Sequence, residues 1–331
     1  MADDEMLTWY KLLERRHSLR ERGPLTDQER GETFSAALAQ FEEMFKAASA
    51  VTEYTRPLLL YYGLAQAGLA IAAACSPDPW TFNNHGLKLG NRTAQLSEMT
   101  ISPQGDGGFQ RVAATIDSPA IAVPVSIGEA WAALPNLSEG GMLPGSEYAC
   151  PLRLVVEWGA SPHGQLFVPG SPPVAGEELT NEVNRIKRAY PTAGDWALPA
   201  DGNPVLKPAA AGERWALRVR WPDAGELDPA DLQAFYDKTA PAYRYQAERY
   251  LWPSMAGGAP LSPLMTWWIL LFACSILARY QPRQWGKMLD PGASDIAALL
   301  RFMLDEALGS VPQLVLGALD GHPVISAGSI R

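Results

Sequence analysis

The 331-residue chain is long enough for one large domain or two smaller ones, and its 47% hydrophobic and 19% charged residues exclude a disordered chain. A formal net charge of −9 excludes a grip on nucleic acid through the whole surface, while leaving room for a local basic patch. Cys75, Cys150 and Cys274 are far apart and include no C-x-x-C pair, so neither a disulfide framework nor a zinc site is expected.

The acidic start Met1-Ala2-Asp3-Asp4-Glu5 has no apolar core of the signal-peptide kind, and the cytoplasm is the expected location. Leu7, Tyr10 and Leu13 share one face of a first helix. After the Gly23-Pro24 break, Thr26 is the expected N-cap of a second helix that carries Phe34, Leu38, Phe41, Met44 and Phe45 on one face. Thr55-Arg56-Pro57 then opens one of the longest apolar segments, running to Cys75. Pro57 suits a first helical turn, where its missing N–H is not needed. This stretch and Leu264 to Ala278 approach membrane-span composition. Gln66 and two tyrosines in the first, and the shortness of the second, favour two buried helices of a soluble protein with no membrane partner.

From Pro77 onward Pro and Gly interrupt any helix. Thr93 to Ser102 and Phe109 to Ile116 read as two strands joined by a turn at 104–108. A short helix is expected from Ser126 to Leu134, stopped by Pro135. Leu152 to Trp158 and Gly164 to Val168 read as a strand pair, Glu177 to Tyr190 as a helix, and Trp215 to Trp221 as a strand. Pro191 to Gly212 is expected to be a mobile insertion, and Pro229 to Asp237 a helix, with Tyr243 to Trp252 unassigned. Three helices close the chain: Leu264 to Tyr280 ended by Pro282, Asp295 to Leu308, and Val311 to Leu319.

Helices, a strand-rich middle and helices again point to an α+β fold with the two helical ends packed together. The expected organisation is a single unit over 1–331, with a helical segment at 1–76, a strand-rich and loop-rich middle at 77–260, and a second helical segment at 261–331.

The P-loop, the dinucleotide fingerprint, H-E-x-x-H, G-x-S-x-G and the kinase set are all missing. With four histidines, none paired at ligand spacing, no metal and no cofactor is expected. Candidate site residues are Arg56, Tyr62, His85, Arg279 and Tyr280, and the sequence nominates no catalytic set. Arg56 is a cation at a helix N-terminus, which the dipole disfavours by roughly 0.3–1 kcal/mol. It is either half of an anion site or the partner of an acid such as Glu42, Glu43 or Glu53. Tyr62 is a second pocket residue or a core tyrosine with one satisfied hydroxyl. His85, between Asn84 and Gly86, is an acid or base in a loop, or a turn residue. Arg279 suits a helix C-terminus with or without a ligand, and Trp285 suits a packing anchor.

The runs Arg56-Pro57-Leu58-Leu59-Leu60-Tyr61-Tyr62-Gly63, His85-Gly86-Leu87 and Gly108-Phe109 resemble the bacterial YaaC-like proteins. So do Leu270-Leu271-Phe272 with Ser275, Arg279-Tyr280, Pro282 and Trp285, and the closing Val311-Pro312-Gln313-Leu314-Val315-Leu316. The chain departs from the family at Gln66-Ala67, where an Asn and a Lys are usual. The resemblance implies a soluble intracellular bacterial protein, links Arg56, His85 and Arg279 as members of one recurrent pattern, and brings no established activity.

Three functions are then open. The first is a binding or regulatory protein with a pocket for an anionic small molecule or a nucleic-acid end. The second is a metal-independent phosphodiester-cleaving enzyme using His85 with Arg56 or Arg279. The third is a structural role with a protein partner or in a homo-oligomer.

Overall fold

The computed structural model describes residues 2–19, 23–157, 163–170, 177–190, 205–209, 212–219, 244–245, 248–255 and 258–321. The expected helix at 229–237 lies outside them. The fold is α+β, and the chain divides into two compact units: Met1–Tyr148 with Leu261–Arg331, and Ala149–Pro260. The helical ends therefore do share a unit, but residues 77–148 go with them instead of with the middle.

In the first unit, α1 (Ala2–Ser18) and α2 (Gln28–Ala50) are followed by α3 (Arg56–Cys75). The cap of α2 is Asp27, whose side chain accepts the Arg30 N–H at 3.0 Å. Thr26, the expected cap, falls instead in a 3-10 turn and donates to Gly23 O at 2.9 Å. Phe34, Phe41 and Phe45 of α2 are buried, and Trp9 of α1 packs on Phe41 with ring centroids 5.1 Å apart. The unit is built around α3, which packs against α2, α4 (Gly108–Thr115), α8 (Pro263–Tyr280) and α10 (Ala297–Leu319).

Glycines on α3 permit these approaches. A Cβ at Gly63 would stand 2.8 Å from the Phe45 ring, and one at Gly68 would stand 2.3 Å from Trp268 Cη2 of α8. Real carbon contacts lie near 3.5–4.0 Å. The C-terminus of α3 is held by a buried guanidinium. Arg30 donates to Ala73 O at 2.9 Å and Ser76 O at 2.6 Å, satisfying carbonyls that the helix leaves unpaired.

The expected strand from Phe109 to Ile116 is helix α4, with Phe109, Val112 and Ala113 buried at helical spacing. Strand β2 (Thr100–Pro103) pairs instead with β1 (Leu87–Gly90), Leu89 opposite Ile101, and with the short β3 (Val125–Ser126). Ser126 caps α5 (Ile127–Ala132), accepting from Glu129 N at 3.0 Å. Pro135 does more than stop that helix, because it opens α6 (Pro135–Gly140). Pro282 likewise begins α9 (Pro282–Leu289).

The last two expected helices are one, since α10 runs through Pro312. Its interior proline forfeits a backbone hydrogen bond at roughly 3 kcal/mol, offset by the buried side chains on both sides of it, Ala307, Val311 and Val315. Helices α3, α8 and α10 are each long and apolar enough to cross a membrane by length and composition, and more than half of each lies buried inside the structure.

The second unit is an antiparallel sheet of order β6-β7-β5-β4-β9-β8 among the described residues. Its strands are β4 (Leu152–Glu157), β5 (His163–Pro169), β6 (Val205–Ala209), β7 (Gly212–Val219), β8 (Arg244–Tyr245) and β9 (Glu248–Leu251). Within the expected mobile insertion, then, lies strand β6, paired with β7 from Val205 opposite Ala216. The segment left unassigned contains β8 and β9. Helix α7 (Glu177–Ala189) and the following Tyr190 cover one face, placing Val183, Ile186 and Tyr190 on Leu154, Leu166, Trp215 and Leu217. The Tyr190 hydroxyl donates to Cys150 O.

Candidate functional site

Six side chains from three regions of the first unit meet where α3 and α8 run side by side. Tyr61 and Tyr62 are adjacent on α3 and so point about 100° apart. Tyr61 turns inward, 2% exposed, while Tyr62 is half-buried. The His85 ring lies 5.3 Å from Tyr61, 6.4 Å from Tyr62 and 6.1 Å from Phe272 of α8. Arg279, about two turns further along α8, donates from Nη1 to the Tyr62 hydroxyl at 2.6 Å. Its guanidinium stands 5.0 Å over the Tyr280 ring, a cation–π contact at an exposed surface.

The backbone around His85 is tied down. Asn84 Oδ1 accepts the Gly86 N–H at 3.0 Å. Gly86 O accepts from Gln104 N at 2.8 Å and from Gln110 Nε2 at 2.7 Å. The first amides of α4 bond back to the same loop, Gly108 N to Asn84 O at 2.9 Å and Phe109 N to His85 O at 3.2 Å. Gly86 takes φ +75°, a left-handed conformation that favours glycine. Gly107 has no room for a side chain, since its Cβ would stand 2.1 Å from Asn84 Oδ1. The result is a fixed loop carrying a partly exposed imidazole whose nitrogens hydrogen-bond to no other described residue.

The electrostatics follow from this geometry. Partial burial, and then the positive charge of Arg279, hold the His85 pKa below its ordinary value. His85 is therefore neutral at pH 7, able to accept a proton and able to gain charge if an anion arrives. Burial raises the Tyr61 hydroxyl pKa, so it stays protonated. The Trp268 indole N–H opposes that shift from nearby without reaching hydrogen-bond geometry, and neither group finds a partner among the described residues. Among the described residues Arg279 has no carboxylate within ion-pair distance.

The structure brings Tyr62, His85, Arg279 and Tyr280 together and gives Arg56 separate partners. Arg56 donates from Nε to Ala48 O at 3.0 Å, from Nη2 to Val51 O at 3.0 Å, and from Nη1 to Asp305 of α10. All three nitrogens are engaged, closing the end of α2 and tying α3 to α10. Its acid is Asp305 in place of Glu42, Glu43 or Glu53; Glu53 instead faces Arg301 at 3.3 Å. Trp285 is the anchor expected, 1% exposed, with its indole N–H donating to Glu53 O at 3.1 Å.

Phe272, Asn84, Gly107 and Gln110 complete the site without having been singled out as site residues. The nearest signal was the cluster Asn84-His85-Gly86 with Gly107-Gly108, a density of loop-forming residues around one histidine. No group of three or more His, Cys, Asp or Glu that could hold a metal occurs among the described residues.

No curated protein and no solved structure matches this chain. The family described as YaaC-like Protein matches residues 8–319, spanning both helical ends, the His85 loop and Arg279. By that coverage the chain belongs to the YaaC-like protein family.

Proposed function

We propose that the chain is a cytoplasmic binding or regulatory protein whose site takes an anionic group between Arg279 and His85, beside Tyr62. One observation carries this reading. A guanidinium that spends only one nitrogen on a tyrosine hydroxyl, with no carboxylate partner among the described residues, stands beside a histidine whose pKa its charge helps to lower. A phosphate or carboxylate there would satisfy the free donors of Arg279 and reverse the repulsion, favouring protonated His85. Arg56 lies outside this reading, because each of its three nitrogens already donates, to Ala48 O, Val51 O and Asp305.

The test is a thermal-shift titration with inorganic phosphate and with a mononucleotide, paired with an NMR titration of His85. Saturation at about 100 times Kd stabilises by about 2.7 kcal/mol. We expect that gain, together with an upward shift of the His85 pKa, and both lost in Arg279→Ala. An Arg279→Ala protein that responds like the wild type refutes the site.

A second reading, a metal-independent phosphodiester-cleaving enzyme, is favoured by the same neutral His85 beside a cation. It would use His85 as the base and Arg279 to stabilise developing charge. It requires turnover of RNA, DNA or nucleotides that disappears in His85→Ala, and an absence of turnover sets it aside. The exposed Met6, Tyr10 and Leu13, spaced along one face of α1, favour a protein partner or homo-oligomer as a third reading. A monomeric mass in solution at working concentration, with no co-purifying protein, refutes it.

A further inference from the structure

We infer that the Tyr62–His85–Arg279 site is one end of a basic strip that binds single-stranded nucleic acid. This rests on the reading of those residues as an anion site and says how far the ligand extends beyond it.

Two segments leave the site and meet again. One runs from His85 through β1 to Arg92, in a turn where Asn91 takes φ +51°. The other runs from Arg279 through Gln281 into α9, where Arg283 and Lys287 lie one turn apart on the exposed side. Trp285 and Leu289 take the buried side of α9, which decides the direction the two cations face. The segments join where Gln284 Nε2 donates to Arg92 O at 3.0 Å. Arg92 spends its Nε on Leu89 O at 3.3 Å, leaving both Nη groups for a ligand. Seven residues of extended chain reach at most about 25 Å, so the path from His85 to Arg92 has room for no more than a few nucleotides.

Charge and ring chemistry identify the ligand. Among the described residues none of Arg92, Arg279, Arg283 and Lys287 has a carboxylate within ion-pair distance, in a chain of net charge −9. Arg15, Arg56, Arg111 and Arg301 each have one. A row of unpaired cations in an acidic protein suits a chain of phosphates. Exposed rings accompany the row. Tyr280 is 58% exposed under the Arg279 guanidinium, and Tyr54, 55% exposed, reaches Gly286 of α9 with its ring edge 3.5 Å from where a side chain there would begin. Such rings stack on bases that are unpaired, which favours a single strand over a duplex, and an acidic peptide offers them nothing to stack on.

The experiment measures anisotropy of a labelled 12-nucleotide oligo-dT across a salt series. Its comparisons are the same oligonucleotide as a duplex, polyglutamate of similar charge, and inorganic phosphate. We expect the single strand to bind at least tenfold tighter than the duplex or polyglutamate. The double variant Arg283→Glu with Lys287→Glu should weaken it at least tenfold and flatten the log–log salt slope by about 1.4, at roughly 0.7 per lost phosphate contact. Phosphate binding at Arg279 should persist in that variant. Tyr280→Ala, an exposed substitution that spares the core, should weaken the single strand about tenfold with an unchanged salt slope. If phosphate binds through Arg279 but the oligonucleotide binds no tighter than phosphate, the strip is refuted and the anion site stands. If neither binds, both fall. Equal binding of the duplex or of polyglutamate refutes the single-strand assignment.

Discussion

Gly68→Ala adds one methyl group at the tightest helix–helix contact beneath the site. The new Cβ would stand 2.3 Å from Trp268 Cη2, 2.6 Å from Cζ3 and 3.1 Å from Val112 Cγ2. Ordinary carbon contact begins near 3.5 Å, so the indole must withdraw by about 1.2 Å. Trp268 is 1% exposed and ringed by buried side chains, which leaves it nowhere to go without displacing its neighbours. Overpacking of this kind costs about 1–3 kcal/mol, and two ring atoms in conflict place the cost in the upper half of that range. Alanine regains about 1 kcal/mol of helix propensity. The net expectation is a loss of about 1–2 kcal/mol.

Gly309→Ala supplies the control. It lies within α10 with no atom within 4 Å of its would-be Cβ, so only the propensity term remains and a gain of about 0.5–1 kcal/mol is expected. Chemical denaturation of the two variants beside the wild type separates the terms, because the propensity gain is common to both. For a unit of this size each kcal/mol moves Tm by about 2–4 °C. If Gly68→Ala stabilises as much as Gly309→Ala, the close packing of α3 on Trp268 is refuted.

Three more expectations follow from the site and its surroundings. Arg56→Met leaves Ala48 O and Val51 O without their donor and is expected to cost about 2 kcal/mol in a denaturant melt, while phosphate-induced stabilisation persists; a lost phosphate response would return Arg56 to the site. Gly107→Ala places a Cβ 2.1 Å from Asn84 Oδ1 and 2.3 Å from Gly86 N, so the loop must open, at about 2 kcal/mol. The ring-current shifts on His85 from Tyr61 and Phe272 should change with it, and unchanged NMR shifts contradict the tie. Because the native pKa of His85 is lowered, its contribution to stability is fully present above about pH 6.5 and is lost as pH falls through the native value. Melting temperatures from pH 8 to 5 should fall more for the wild type than for His85→Asn, and parallel curves refute that linkage. Anion affinity runs in the opposite direction, rising as His85 takes up its proton.

The helices at both ends were legible in the amino-acid order because they are long and apolar, with Pro57 marking the first turn of α3 and Pro282 the end of α8. Short segments were less so. Phe109 to Ile116 satisfies a strand's alternation and a helix's spacing about equally, and at eight residues periodicity does not choose between them. Burial of Phe109 and Val112 beside α3, with Gly107 pressed against Gly86, makes it a helix. The break expected before Val311 likewise gave way to one helix through Pro312, because packing along α10 outweighs the lost bond.

The site divides the same way. The residue types and their order were enough to nominate Tyr62 and His85 and to mark Arg56 as a cation in need of an offsetting partner, while Arg279 and Tyr280 gained their weight from the resemblance to the YaaC-like proteins. Which cation belongs to which cluster was a tertiary matter. The partner of Arg56 is Asp305, 249 positions away, and nothing local distinguishes that aspartate from the other acids of the chain. Tyr62 and Arg279 are 217 positions apart and meet only because α3 and α8 lie side by side, with Trp268 seated against Gly68. Apolar periodicity determines that these helices bury themselves. Only their mutual packing decides which polar ends are brought together, and that placed Arg279 beside His85 and set Arg56 to holding the helices.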